Sequence, residues 1–87
     1  MARYRLSIKQ SAAKELEAVA RRTDRQRLVA RIEALAGDPR PPGCEKLAGH
    51  SGRYRVRQGD YRVVYSVDDG DRVVLIVKVG HRREVYR

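Results

Sequence analysis

Tyr4, Leu6 and Ile8 alternate with Arg3, Arg5, Ser7 and Lys9, the period of two expected of a half-buried strand. The period then lengthens. Ser11 is placed to cap a helix running to about Arg22, with Leu16, Val19 and Ala20 as its apolar stripe. Thr23 and Gln26 have the spacing of a capping box and open a second helix, whose inner side carries Leu28, Ile32, Leu35 and Ala36. Gly37 and Pro39 are stop signals for it. The two helices are expected to form an antiparallel hairpin, with Glu15, Glu17, Arg25, Arg31 and Glu33 as its solvated face. Asp38 to Gly52, with all three prolines and three of the seven glycines, is expected to be a loop.

From Arg53 the period returns to two. Tyr54 and Val56 alternate with Arg53, Arg55 and Arg57, and Tyr61, Val63, Tyr65 and Val67 alternate on the far side of Gly59-Asp60, a two-residue hairpin turn. With that turn, Gln58 faces Tyr61, Arg57 faces Arg62, Arg55 faces Val64 and Arg53 faces Ser66. Residues directly opposite share a face of the sheet. Arg53, Arg55, Arg57 and Arg62 therefore fall together on one face, without an acidic side chain among them, and the tyrosines and valines fall on the other. A slip by one residue would mix arginines into the core, so the register is strongly specified. Asp69-Gly70 is a second two-residue turn signal, and Val73 to Val79 is apolar enough for a strand covered on both faces, with Val73, Leu75, Val77 and Val79 on the arginine side. The fold class is α+β, in the order β-α-α-β-β-β, with the helical hairpin packed on one face of a largely antiparallel sheet.

Charge sharpens this picture. The chain has 87 residues, read as a single domain over 1–87, and 20 basic side chains against 11 acidic ones give a net charge of +9. Most of the basic residues are arginines, which stay charged and grip phosphate with a planar fork. A polyanionic partner is expected. A lone cysteine, Cys44, excludes an internal disulfide, and one cysteine with two histidines makes no metal-ligand spacing, so neither metal nor cofactor is expected. Residues 1–10 lack the apolar core of a signal peptide and no run is long enough to span a membrane, which predicts a cytoplasmic protein.

Four arginines on one face repel each other unless an anion lies over them. After Val79-Gly80 the tail brings His81, Arg82, Arg83 and Tyr86, and a strand ending beside that face could deliver His81, Arg82 and Tyr86 to its rim. Such a set suits RNA cleavage by the neighbouring 2′-hydroxyl. That reaction needs a base, cations for the phosphorane and an acid for the leaving 5′-oxygen. Tyrosine titrates near ~10, so Tyr86 serves as base only if nearby guanidinium groups lower its pKa. His81 is the chemically easier acid or base because it titrates near neutrality. Arg53, Lys46 and Arg83 are expected to hold RNA on either side of the reacting phosphate.

The stretches Tyr54-Arg55-Val56-Arg57, Gly59-Asp60-Tyr61-Arg62-Val63-Val64-Tyr65 and Val79-Gly80-His81-Arg82-Arg83-Glu84-Val85-Tyr86 resemble the RelE branch of the RelE/ParE toxins, and Ala13-Lys14-Glu15-Leu16 and Lys46-Leu47-Ala48-Gly49 fit the same family. The resemblance covers essentially the whole chain. It implies a RelE-like fold and a ribosome-dependent endoribonuclease, or mRNA interferase, that cuts mRNA without a metal. It implies a co-encoded cognate antitoxin, RelB-like or of another type, and operator DNA bound only through the antitoxin complex. Carried over by motif position, Arg55, Arg57 and Arg62 hold the scissile phosphate, Arg82 serves the leaving group and Tyr86 is the base. Arg55 and Arg57 stand where well-known members have lysines, which keeps charge and loses a proton donor. No C-terminal helix is expected to anchor Tyr86. Two rivals share the composition: a ParE-like DNA gyrase inhibitor without chemistry, which does not need these residues together, and a repressor subunit, for which no helix-turn-helix pattern is evident.

Overall fold

A computed structural model of the chain describes residues 3–49 and 51–85. Its elements are β1 (Arg5–Ile8), α1 (Gln10–Glu17), α2 (Arg22–Ala34), β2 (Glu45–Lys46), β3 (Arg53–Gln58), β4 (Tyr61–Asp68), β5 (Val73–His81) and α3 (Arg82–Val85). The expected order is present, with two additions: the two-residue strand β2 inside the expected loop, and the helical turn α3 where no C-terminal helix was foreseen. The five strands form one sheet in the order β1-β5-β4-β3-β2. Among the described residues only the β1–β5 pair is parallel.

The β3–β4 hairpin has the register derived from the sequence, from Gln58↔Tyr61 through Arg57↔Arg62 and Arg55↔Val64 to Arg53↔Ser66. Gly59 takes the left-handed conformation, φ +60, that a tight hairpin turn requires. Gly52 is also left-handed, and a Cβ on it would lie 3.2 Å from the Val67 carbonyl, so glycine lets β3 begin against β4.

The helix boundaries depart from expectation because the ends of the strands dictate them. Lys9 donates its backbone N–H to Ile76 and also accepts the first helical bond, from Ala13, so α1 begins at once after β1 and Ser11 sits inside its first turn. Lys9 is the N-cap residue, with no side-chain cap. The helix stops at Glu17 rather than near Arg22 because Val19 drops into the core, leaving Ala20 exposed. The Arg25 guanidinium clamps the short connection by donating to the Val19 carbonyl at 2.9 Å. Arg21 thus becomes the N-cap of α2, and Thr23 and Gln26 form no capping box. Ala12 on α1, outside the expected stripe, is fully buried.

Leu28, Ile32 and Leu35 pack with Val19 and Ala12 against Val56, Val63, Tyr65, Val67, Val74, Ile76 and Val79 of the sheet. Tyr65 is fully buried, its ring stacked on Tyr54 at 5.9 Å and its hydroxyl donating to the Pro39 carbonyl at 2.7 Å. Burial pushes that hydroxyl's pKa well up, so it stays a donor. The strand covered on both faces is the central β4, where Arg62 to Tyr65 are all buried, and not β5 as expected. A bulge in β5 explains part of this. Val64 pairs with Lys78 and Tyr65 with Ile76, so Val77 is an extra residue. The bulge reverses the alternation. Val79, expected on the arginine side, packs in the core, while Val73 and Leu75 remain half-buried on the arginine side.

The second turn is wider than two residues. Asp68 pairs with Val73, so residues 69–72 form the loop; Arg72 has φ 55 and the Asp71 N–H donates to the Asp68 carboxylate. The wider loop carries Asp69 to a clasp. The Arg40 guanidinium donates to both Asp69 oxygens, at 3.2 and 2.7 Å, and through Nε to the Tyr54 hydroxyl, while the Tyr4 hydroxyl donates to Asp69 Oδ1 at 2.6 Å. Arg40 first, then Tyr4, hold the Asp69 carboxyl below its ordinary value of 3.8. A carboxyl depressed by folding stabilises the fold above its unfolded pKa and stops doing so as pH falls through the folded value. The stability gap between the parent and an Asp69→Asn variant should therefore be largest near neutrality and shrink as pH falls below about 3.8. Urea midpoints of both proteins across a pH series measure it, and a gap independent of pH would remove the clasp from the stability of the fold.

Candidate functional site

The β3–β4 register sets Arg57 and Arg62 directly opposite each other, with Arg55 and Arg53 following along β3. On the other side of Arg62, β5 presents Gly80. Arg62 is only 5% exposed, because its stem lies along the hairpin; its Nη1 donates to the carbonyls of Tyr61 at 3.0 Å and Gly59 at 3.3 Å. Its Nε is buried without a hydrogen-bond partner among the described residues. A buried donor left unpaired is costly, and an anion is the natural acceptor for it. Arg57 is exposed beside it.

Arg55 differs from its neighbours. β2 places Glu45 opposite it, and the Arg55 Nη2 donates to Glu45 Oε2 at 3.1 Å. An acidic side chain therefore does lie among the arginines, contrary to the sequence reading. A two-residue strand leaves no periodicity from which Glu45 could have been placed, so the sequence carried no signal for it. The pair divides the face into a neutralised portion at Arg55 and a cationic portion at Arg57 and Arg62.

The tail is tethered to this cationic portion. The Arg82 backbone N–H donates to the Asp60 carbonyl at 2.8 Å, fixing the start of α3 beside the β3–β4 turn, and the Arg82 side chain is exposed. His81 does not join it. It pairs with Tyr61, whose ring it meets edge-on at 5.7 Å, and it lines a cavity with Glu15, Ala18 and Val19 on the helical side of the sheet. The β5 bulge is the reason, since it sets the phase of the last residues of the strand. The Arg83 N–H donates to His81 Nδ1 at 3.4 Å, and the Arg83 side chain is exposed. Lys46 pairs with Tyr54, a register position of the helical side. Arg53 is half-buried on the arginine face. Tyr86 lies outside the described residues. Of the candidate residues, Arg53, Arg55, Arg57 and Arg62 thus share a face, Arg82 starts at its edge, and His81 and Lys46 belong to the other side. Among the described residues no group of three or more His, Cys, Asp or Glu is placed to hold a metal, and no helix is long and apolar enough to cross a membrane.

Arg57 and Arg62 should differ in what they contribute to folding. Truncating the exposed Arg57 to Ala should change stability by no more than about 0.5 kcal/mol. Truncating Arg62 removes a buried stem and two hydrogen bonds and should cost about 1–3 kcal/mol. Urea denaturation of the two variants tests this, and equal losses would contradict the burial described for Arg62.

Comparisons with known proteins agree with this geometry. The family model for the ParE toxin of the type II toxin–antitoxin system parDE matches residues 6–86. A Mycobacterium tuberculosis protein named toxin RelE is 30% identical over 84 residues, covering 97% of this chain and 87% of that protein. The RelE–RelB complex of the archaeon Pyrococcus horikoshii OT3 contains a chain that superposes with a TM-score of 0.81 at 33% identity, covering 94% of this chain and 97% of the other. The isolated E. coli RelE toxin superposes with a TM-score of 0.79 at 32% identity, covering 95% and 90%. The sheet with its helical layer is the fold of these toxins, and the chain belongs to the RelE/ParE family of type II toxin–antitoxin toxins.

Proposed function

We propose that the chain is an mRNA endoribonuclease acting on the ribosome, held inactive by a co-encoded antitoxin, and that it cuts without a metal. The observation that carries this reading is the cationic end of the arginine face: exposed Arg57 opposite the buried Arg62, Gly80 beside Arg62, and Arg82 tethered at the turn. The RelE names of the relatives and the antitoxin bound in the archaeal complex support it.

In this reading a phosphate lies across Arg57 and Arg62. The 2′-hydroxyl of the preceding nucleotide attacks its phosphorus while a base takes the hydroxyl proton. The bond to the 5′-oxygen breaks, and that oxygen gains a proton. The products carry a 2′,3′-cyclic phosphate and a 5′-hydroxyl. Arg57 and Arg62 stabilise the added negative charge, and fixed cations aimed at developing charge are among the largest contributors to catalysis. Arg55 and Arg53 hold the RNA backbone along the strand, with Arg83 as an outer contact; Lys46, on the helical side, has no part in it. Arg82 meets the charge on the leaving oxygen, and Tyr86 is the proposed base. His81, on the helical side, is the weaker candidate for that role. A second reading, a ParE-like gyrase inhibitor acting by binding alone, keeps one supporting observation: the matching family model is that of the ParE toxin.

Single-turnover cleavage of mRNA on saturating ribosomes, followed by primer extension over a pH series, separates these roles. Arg57→Ala should cut about 10²–10³-fold more slowly at every pH. Tyr86→Phe should be slow and lose the parent's pH dependence, because the titrating group is gone. His81→Gln should cut like the parent. A chelator that spares the ribosome's magnesium should leave the rate unchanged. A parent protein that inhibits gyrase supercoiling and leaves mRNA intact would overturn the nuclease reading in favour of the second.

A further inference from the structure

Glu45 is out of place on a face suited to phosphate. The two-residue strand β2 is the outer edge of the sheet and sets Glu45 opposite Arg55. One carboxylate oxygen, Oε2, accepts from Arg55 Nη2 at 3.1 Å. The other has no hydrogen-bond partner among the described residues, and the Glu45 side chain is 49% exposed against 15% for Arg55. The ion pair therefore aims the carboxylate without burying it. Such a half-exposed pair adds little to stability. A carboxylate also weakens the grip of the arginine row on RNA, because it repels phosphate. Neither stability nor affinity accounts for its place.

Discrimination does account for it. With a phosphate across Arg57 and Arg62, the RNA backbone runs between β3 and β4, and β2 is the outer flank. Unpaired RNA splays its bases away from its backbone, where their Watson–Crick edges can be read. Arg55 lies two residues from Arg57, about 6.6 Å along the strand and close to one nucleotide step, and β2 runs about 4.8 Å further out. A base next to the phosphate held at Arg57 and Arg62 thus passes over Glu45. Adenine, cytosine and guanine each offer an amino group there, from which a carboxylate accepts. Uracil offers a single N–H between two carbonyl oxygens, and those oxygens repel a carboxylate. A negative acceptor favours the first three bases and rejects the fourth. Rejection is the part of specificity that a row of arginines does not supply.

We infer that Glu45 is a specificity-determining residue, which selects an amino-bearing base, against uracil, at a nucleotide next to the cleaved bond. The inference rests on the nuclease reading above and adds to it the residue that chooses the site. Arg55 is then a positioning residue for Glu45 as well as a contact for the backbone.

The test compares the parent with Glu45→Gln and Glu45→Ala on ribosomes programmed with one mixed pool of mRNA, with the fragment ends sequenced. The same ribosomes and pool serve every protein, so the ribosome's own contribution cancels. At one of the nucleotides flanking the cut, the parent should use uracil about tenfold less often than the other three bases, the worth of one well-placed base contact. Gln donates as well as accepts, so Glu45→Gln should admit uracil and level the four bases. Glu45→Ala should level them too, and both variants should melt like the parent. Arg57→Ala should cut more slowly with the parent's base preference intact, which separates choosing a site from cutting it. Identical base preferences in the parent and both Glu45 variants would overturn the inference. So would a uniform loss of rate at every site with the preference unchanged, because Glu45 would then act in the chemistry or on a ribose hydroxyl. Either result leaves the nuclease reading standing. A parent that cuts no mRNA would remove that reading and this inference together.

Discussion

The pairing of β3 with β4 through the Gly59-Asp60 turn is the constraint on which the rest depends. It sorts the side chains of two strands into a tyrosine and valine face that the helices cover and an arginine face that they do not. Hydrophobic burial, at about 25 cal/mol per Å² of apolar surface, drives the first face against Leu28, Ile32 and Leu35. That burial is what holds the arginines on the second face against their mutual repulsion. The core stabilises the fold, and the same register assembles the cations.

Much of this was legible because a period of two, interrupted by Gly-Asp, admits one register in which no arginine enters the core. The inner side of α2 was legible for the same kind of reason, at a period of 3.6. The failures share a cause as well: each turns on a contact between segments distant in sequence. Ser11 and Thr23 have good capping chemistry, yet the end of β1 and the fall of Val19 into the core fix where the helices start. Glu45 reaches Arg55 from a strand too short to show alternation. His81 was expected at the rim of the arginine face because a bulge in β5 leaves no mark in the pattern of apolar residues.

The two layers are also joined at the end of the sheet away from the arginine cluster. Tyr65 bonds the chain just after α2 through the Pro39 carbonyl, and Arg40 next to it grips Asp69 of the β4–β5 loop, with Tyr4 closing the set from the start of β1. The Arg40 guanidinium also lies 5.1 Å over the Tyr54 ring, which stacks on Tyr65. Apolar, aromatic and ionic contacts there bear on a few neighbouring residues. The opposite end, with the β3–β4 turn and the start of α3, is left to the arginines.

The bulge at Val77 behaves as a phase shifter in β5. Upstream of it, Val74 and Ile76 keep step with β1; downstream, Val79 and His81 keep step with the hairpin. The strand therefore has unequal tolerance to changes in its length. Losing a residue at Val77 restores plain alternation and leaves both halves in phase. Gaining or losing one between Lys78 and His81 exchanges the two faces for everything that follows: Gly80 leaves the side of Arg62, and an imidazole or a bulkier neighbour takes its place. Over evolutionary time, then, insertions and deletions in this strand should collect at the bulge and be purged three residues later, even though the two places look alike in composition.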